Sequence, residues 1–223
     1  MPMSQLALDL HAVAPATLDN YVAGRNAEAL QCLRRLAEGC RERRFVYLWG
    51  ASGAGRSHLL RALAAGGRLL GANAAPGDLE FDAQCTLYLA DDVHRMGLAT
   101  QEALFHLFNR VLADPRAALV ASGDAPPLAL PVREDLRTRL GWGLVYELHL
   151  LSDEEKAAAV QRVAAERGVA LSPDVVPWLL THQSRDLRAL LATFDALDRY
   201  AFEHKRALTL PLVREWLQHR LAP

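Results

Sequence analysis

The stretch Gly50-Ala51-Ser52-Gly53-Ala54-Gly55-Arg56-Ser57 decides the fold. It follows the apolar run 45–49, Phe-Val-Tyr-Leu-Trp, which predicts a buried strand, and it precedes residues 57–65, which predict a helix. In such a turn, glycines let backbone N–H groups surround phosphate oxygens, and the start of the helix adds the positive end of its dipole. The spacing is that of a P-loop, with arginine in the position of the usual lysine. We therefore predict a phosphate-binding loop at Gly50, Gly53, Ala54, Gly55, Arg56 and Ser57.

The arginine in this loop affects the expected chemistry. Lysine is a compact point charge, whereas the guanidinium of Arg56 is a wider planar fork. Arg56 is still able to pair with a phosphate through two hydrogen bonds. We expect it to suit a bound diphosphate better than the transition state of hydrolysis. The sequence therefore predicts binding of ADP or ATP with weak intrinsic turnover.

A pair of aspartates follows the second apolar strand, which is predicted at residues 86–90. Their position fits a Walker B motif, in which Asp91 holds Mg²⁺ together with the Ser57 hydroxyl. The second carboxylate, Asp92, is expected near the water that attacks the nucleotide. In isolation, such aspartates would be interpreted as caps of the following turn. The apolar strand before them and the P-loop upstream favour the metal site.

A third apolar strand is predicted at residues 117–121, and a polar segment follows it. Asp124, or alternatively Ser122, is placed to sense the γ-phosphate side of a nucleotide. A turn-forming aspartate before Pro126-Pro127 explains Asp124 equally well.

Helices separate these strands. The segments Asn26–Cys40, with Asn26 as N-cap, and Gln101–Ala113 carry apolar residues at helical spacing. Strands alternating with helices predict an α/β fold in which a parallel sheet lies between helices. Residues 66–82 are rich in Gly and Ala and show only weak strand signals.

Only helices are predicted after about residue 150. Ser152 and Glu155 have the spacing of a capping box, and Ser172-Pro173 predicts the start of a second helix. Further helices are predicted at 185–204 and after Pro211. We therefore divide the chain into an N-terminal peptide at 1–16, an α/β nucleotide-binding core at 17–150 and a small helical lid at 151–223.

The overall composition excludes several classes of protein. The net charge of −1 argues against a surface that wraps nucleic acid. Three cysteines without a CxxC pair, Cys32, Cys40 and Cys85, suit a reducing cytosol without a disulfide framework or zinc site. We find neither the basic start of a signal peptide nor a long apolar stretch. We expect a soluble cytoplasmic protein that does not enter a membrane.

Two arginines, Arg137 and Arg139, precede the motif Gly141-Trp142-Gly143. An arginine at a subunit edge reaches a neighbour's γ-phosphate in known ATPases and stabilises the charge there. A solvated helix face is the ordinary explanation of either residue, and the sequence does not decide which of the two would act.

Several of these motifs resemble the DnaA branch of the AAA+ ATPase family. The segment 17–26 resembles the part of that branch that wraps adenine, which implies nucleotide contacts at Val22 and Gly24. Residues 104–109, 136–143 and 185–188 resemble the same branch, so that the likeness extends over about residues 17–220. It implies an AAA+ core, an arginine finger at Arg139 that acts on another subunit's ATP, and a sensor 2 arginine at Arg188 that contacts this chain's own nucleotide.

Within that branch the chain is most similar to the Hda family of regulators. The P-loop ends in the Gly55-Arg56-Ser57-His58 sequence that is usual there, and the chain stops after the lid, so we expect the DNA-binding domain of the initiator to be absent. Gln5-Leu6-Ala7-Leu8-Asp9-Leu10 resembles the peptide by which that family binds the polymerase sliding clamp, with Asp9 where proline is commoner. The predicted contacts to the clamp are Gln5, Leu6, Leu8 and Leu10.

The resemblance implies a mechanism. A nucleotide-loaded, clamp-bound regulator meets ATP-loaded DnaA and stimulates its ATP hydrolysis, which gives negative regulation of replication initiation. Residues 66–85 are short compared with the insertion by which the initiator grips single-stranded DNA. We therefore expect contact with DNA only through the clamp; a homodimer is left open.

Two other interpretations are retained. The first is an ATPase that acts directly on DNA, such as a helicase loader, which requires strong DNA-stimulated hydrolysis and a basic surface. The second is a degenerate scaffold in which the P-loop is structural and only the Gln5–Leu10 peptide functions. Purified protein that never retains nucleotide would favour the scaffold.

Overall fold

A computed structural model of the chain describes residues 15–182 and 186–221. They form two compact units. The first, called the core unit, comprises residues 16–151, and the second, called the lid unit, contains the described residues from 152 onward. Each unit encloses buried apolar side chains of its own.

The core unit is built on a five-stranded parallel sheet, which confirms the predicted fold class. The strands are β1 Phe45–Gly50, β2 Arg68–Leu70, β3 Leu87–Ala90, β4 Ala118–Gly123 and β5 Leu144–Leu148. Their order in the sheet is β2-β3-β4-β1-β5, and every neighbouring pair is parallel. The carboxyl ends of β1, β3 and β4 therefore lie at one edge, where ligands bind in open sheets of this kind.

Helices cover both faces of this sheet. They are α1 Ala27–Ala37, α2 Arg56–Leu63, α3 Leu98–Ala113 and α4 Glu134–Leu140. Within β1, Tyr47 belongs to the apolar cluster that contains the α3 residue Phe108, whereas Val46 and Leu48 belong to the cluster that contains α1 and α2. Because both faces are buried, the strand is apolar at successive positions rather than at alternate ones.

The two edge strands, β2 and β5, are not evident from the sequence pattern. β2 is only three residues long and lies in the Gly/Ala-rich segment. In β5 the exposed Val145 and Glu147 alternate with more buried neighbours, because the strand has a partner on one side only. Hydrogen bonding to β3 and to β1 fixes these short edge strands, and such tertiary pairing is not visible in local periodicity.

Asn26 stands at the N-cap position of α1, as predicted, without the usual capping contact. It directly precedes α1, but its side chain makes no capping hydrogen bond. Instead its Oδ1 accepts the His149 N–H at 2.8 Å, and its Nδ2 donates to the His149 carbonyl at 2.9 Å and to the Tyr21 hydroxyl at 3.1 Å. The buried amide ties the start of α1 to the residue after β5, and this long-range pairing replaces the local cap.

The lid unit contains four helices, α5 Asp153–Glu166, α6 Val175–His182, α7 Leu187–Glu203 and α8 Leu210–Leu221. The predicted capping box is present: Ser152 Oγ accepts the Glu155 N–H at 3.2 Å, and Glu155 Oε2 accepts the Ser152 N–H at 2.7 Å. α6 starts at Val175, later than the predicted start at Pro173. Among the described residues, none of the helices is long and apolar enough to cross a membrane.

The Asn26 amide provides a test of the core unit. Asn26→Ala leaves the buried N–H and carbonyl of His149 without their partner, so we expect the free energy of unfolding to fall by about 2–4 kcal/mol. The measurement is urea denaturation, with the exposed α1 substitution Gln31→Ala as control, for which we expect less than about 0.5 kcal/mol. Equal losses in the two variants would contradict the account.

Candidate functional site

The P-loop joins β1 to α2 and packs closely against its surroundings. Gly55 has a φ of +93°, and a Cβ atom there would lie 2.5 Å from Cε2 of Tyr21. At Gly50 a Cβ atom would overlap the carbonyl oxygen of Leu148, at the end of β5. Both positions therefore need glycine, and the loop is held between the segment before α1 and the edge strand β5.

The predicted adenine-binding segment lies beside this loop. The Tyr21 hydroxyl donates to the Ala54 carbonyl at 3.1 Å, and a ring nitrogen of His58 is 3.0 Å from the Thr17 carbonyl oxygen. Burial raises the pKa of Tyr21 above its ordinary value of 10, so the hydroxyl keeps its proton at neutral pH. The neighbouring Val22 is half-buried and Gly24 is exposed. Two segments that were predicted separately thus belong to one site.

Arg56 is directed at Asp92, the second of the two aspartates that follow β3. Its Nη2 lies 3.4 Å from Asp92 Oδ1, and its side chain is only 11% exposed. Asp92 Oδ2 also lies 3.8 Å from Nη1 of the more exposed Arg95. The contact between Arg56 and Asp92 is an ion pair without a hydrogen bond. Asp92 Oδ1 is buried and has no hydrogen-bond partner, and the same is true of the other terminal nitrogen of Arg56, Nη1. Burying such atoms costs free energy unless another polar group forms a hydrogen bond with them.

Asp91 is oriented by a buried serine that the sequence placed only as a candidate sensor. The Ser122 hydroxyl, on β4, donates to Asp91 Oδ1 at 2.6 Å and accepts the Asp92 N–H at 2.9 Å. Ser122 is fully buried. A hydroxyl has a single O–H donor, and that of Ser122 is used by Asp91. Ser122 therefore binds the two aspartates at the end of β3 and fixes their relative positions.

Asp124 lies just beyond the end of β4 and is about half exposed. Its Oδ2 is 3.6 Å from Nε2 of His94, whose other ring nitrogen, Nδ1, is buried without a hydrogen-bond partner. His94 was not predicted to belong to the site. A role of Asp124 in sensing phosphate stays a prediction.

The structure distinguishes the two candidate finger arginines on α4. The Cζ atom of Arg139 lies 3.8 Å from the centroid of the Trp142 ring and 5.8 Å from that of Phe105. No such aromatic contact is found for Arg137 within the described part of the chain. In residues 15–182 and 186–221, neither arginine has a carboxylate within 4.0 Å. Arg139 is thus a cation that contacts aromatic rings but forms no ion pair among the described residues.

Two further predictions concern other parts of the chain. Arg188 is exposed and lies in the first turn of α7 in the lid unit, after Asp186, which caps that helix through the Ala189 N–H. The clamp-binding residues Gln5, Leu6, Leu8 and Leu10 lie outside the described residues.

A pocket of about 220 Å³ lies between α1 and β5 and contains none of the predicted nucleotide-binding residues. It is lined by Cys32, Cys40 and Tyr146, among others. Burial raises the pKa of the Cys32 thiol, and it raises that of Tyr146 to about 12. Both groups therefore remain protonated at neutral pH, and Cys32 has little of the thiolate character that reactive cysteines need.

Comparison with known sequences agrees with this arrangement. The family profile described as "Hda, lid domain" matches residues 153–217, and the profile described as "Bacterial DnaA ATPAse domain" matches residues 80–147. An uncharacterized protein of Haemophilus influenzae is 34% identical over 229 aligned residues, which cover 96% of this chain and 98% of that protein.

Solved structures show the same fold. Domain III of the replication initiation protein DnaA from Thermotoga maritima matches with a TM-score of 0.74 and 20% identity, over 93% of this chain and 98% of that chain. The AMPPCP-bound DnaA of Aquifex aeolicus matches with a TM-score of 0.69 and 21% identity, over 84% of this chain and 66% of that chain. With its P-loop, its parallel sheet and an Hda-type lid, the chain belongs to the Hda-like, DnaA-homologous family of AAA+ proteins.

Proposed function

We propose that the core unit binds an adenine nucleotide, ADP or ATP, on its P-loop. The observation that carries this proposal is the set of buried polar atoms without partners beside the loop, on Arg56, Asp92 and His94. Phosphate oxygens are the acceptors that an unpartnered guanidinium nitrogen needs. The fold of the AMPPCP-bound Aquifex aeolicus DnaA supports the same assignment.

Ser57 and Asp91 would hold Mg²⁺ with this nucleotide. A hydroxyl and a carboxylate are hard oxygen ligands, and Asp91 is already oriented by Ser122. When bound, the ion neutralises charge on the β- and γ-phosphates. Asp92 belongs to the same Walker B pair, and its contact with Arg56 is the one that a phosphate would compete for. A phosphate carries more negative charge than this carboxylate, and would therefore compete well for Arg56.

The nucleotide-bound chain is a regulator of replication initiation that acts on the initiator DnaA. Membership in the Hda-like family supports this role, since the chain matches the profile of the Hda lid domain and that of the bacterial DnaA ATPase domain. Arg139 serves as an arginine finger toward ATP bound to DnaA, and Arg188 contacts the chain's own nucleotide. The Gln5–Leu10 peptide attaches the protein to the sliding clamp. Stimulated hydrolysis of ATP by DnaA then makes the regulation negative.

The nucleotide site is tested with a charge-matched pair of variants. Arg56→Ala removes the cation that faces the phosphates, so we expect ADP affinity to fall about 10- to 100-fold, the range for a charge-assisted hydrogen bond of about 1.5–3 kcal/mol. Arg61→Ala removes an exposed arginine on the same helix and should leave the affinity unchanged. Titration calorimetry measures both. If the two variants bind ADP equally well, Arg56 does not contact the nucleotide.

The finger is tested by Arg139→Ala, with Arg137→Ala as the control on the same helix. In an assay of phosphate release from ATP-loaded DnaA, we expect Arg139→Ala to lose about 10³-fold or more of the stimulation, because an arginine finger stabilises the charge of the transition state at the γ-phosphate. Arg137→Ala should retain most of it. Stimulation that survives in Arg139→Ala but not in Arg137→Ala would transfer the finger to Arg137.

The clamp peptide is tested by the double substitution Gln5→Ala and Leu8→Ala. We expect it to abolish binding to the sliding clamp, since an extended peptide depends on a few anchoring side chains. ADP affinity should remain that of the unchanged protein. Surface plasmon resonance on immobilised clamp provides the measurement, and undiminished binding would show that the peptide is not the attachment site. A salt-dependent affinity for DNA without the clamp would instead favour a helicase loader.

A further inference from the structure

The environment of Arg139 differs from that of Arg116 and Arg133, two other arginines of the core unit. Arg116 donates to both carboxylate oxygens of Asp114, at 3.1 and 2.8 Å, and Arg133 donates to Asp135 at 3.2 and 2.9 Å. Their N–H groups are therefore already engaged by acids of the same chain. Among the described residues Arg139 has no such acid, and its guanidinium instead lies on the face of the Trp142 indole, at 3.8 Å from the ring centroid.

Stacking of this kind leaves the hydrogen-bonding capacity of the guanidinium free. The five N–H donors of arginine point outward in the plane of the group, whereas an aromatic ring contacts its face. Trp142 therefore restricts where the cation lies without using any of its donors. A carboxylate partner would do the opposite, because a phosphate would have to displace it before it could bind.

Backbone contacts and one ring contact place Trp142 next to Arg139. The Trp142 N–H donates to the carbonyl of Arg139 itself at 3.1 Å, at the end of α4. The next residue, Gly143, lies so close to β1 that a Cβ atom there would overlap the Phe45 carbonyl oxygen. The indole and the Phe108 ring form a T-shaped pair, with ring centroids 6.4 Å apart. Although 57% of Trp142 is exposed, its backbone is fixed next to Arg139 and its ring contacts Phe108.

We propose that Trp142 is a positioning residue: its indole face holds the Arg139 guanidinium at the surface, with its N–H donors free for the terminal phosphate of a nucleotide bound to another protein. The inference rests on the proposed function of Arg139 and adds a second residue to it. Pre-organising a long side chain lowers the entropy lost when it binds. The benefit should appear in the maximal rate of stimulated hydrolysis.

The first experiment needs no partner. Side-chain ¹H–¹⁵N spectra record the Nε–H signal of Arg139, which is identified by its absence in Arg139→Ala. A ring face shields protons above it, so we expect an upfield shift in the unchanged protein, loss of that shift in Trp142→Ala and partial retention in Trp142→Phe. If the signal has the same position in Trp142→Ala and in the unchanged protein, Trp142 does not position Arg139. This conclusion holds whether or not Arg139 is an arginine finger.

The second experiment measures phosphate release from ATP-loaded DnaA as the concentration of each variant is raised. We expect Trp142→Ala to lower the maximal rate about two- to fivefold, since an exposed cation–π contact of about 0.5–1 kcal/mol corresponds to that factor. The concentration for half-maximal stimulation should change less, and Trp142→Phe should restore the rate. In an Arg139→Ala background, Trp142→Ala should have no further effect. Thermal unfolding of each variant serves to confirm that the fold is retained.

The outcomes separate this inference from the proposed function. If Arg139→Ala abolishes stimulation while Trp142→Ala leaves the rate unchanged, the finger stands and the positioning role is overturned. A rate loss in Trp142→Ala that persists in the Arg139→Ala background would also overturn it, because Trp142 would then act without Arg139. If Arg139→Ala stimulates fully, the finger itself is wrong and the positioning role is lost with it.

Discussion

The close approach of the P-loop to its two neighbours is the constraint on which the site depends. Gly50 faces the Leu148 carbonyl of β5, and Gly55 faces the Tyr21 ring, at distances that exclude a side chain. The loop therefore has one path, which brings the start of α2 next to the segment before α1. Asn26 completes the arrangement by joining Tyr21 to His149. These contacts hold the P-loop, the segment before α1 and the end of β5 together.

The acidic side of the site is coupled to this loop through β4. Ser122 holds Asp91 and the backbone of Asp92 together, and Asp92 in turn faces Arg56. Parallel pairing of β1 with β4 and of β4 with β3 brings these residues from three strand ends to one edge. The arginine that replaces the usual P-loop lysine accordingly has an acidic neighbour and one nitrogen without a hydrogen-bond partner.

Motifs with a fixed spacing and continuous apolar runs were predictable from the sequence. The P-loop, the three central strands and the Ser152 capping box belong to this class, because neighbours along the chain determine them. Contacts between distant segments were not predictable. The edge strands β2 and β5, the pairing of Asn26 with His149 and the bond from Ser122 to Asp91 all depend on which elements the fold brings together. The contact between Arg139 and Trp142 was predictable only in part. The two residues are three apart in the sequence, but their contact also depends on how the chain leaves α4.

We expect the protein to complete another ATPase's site rather than to turn over its own nucleotide rapidly. The most direct test is phosphate release from ATP-loaded DnaA, in the presence of DNA-loaded sliding clamp, with and without the full chain. Strong stimulation that depends on the clamp is the predicted result. The absence of stimulation by folded, nucleotide-bound protein would contradict the central claim.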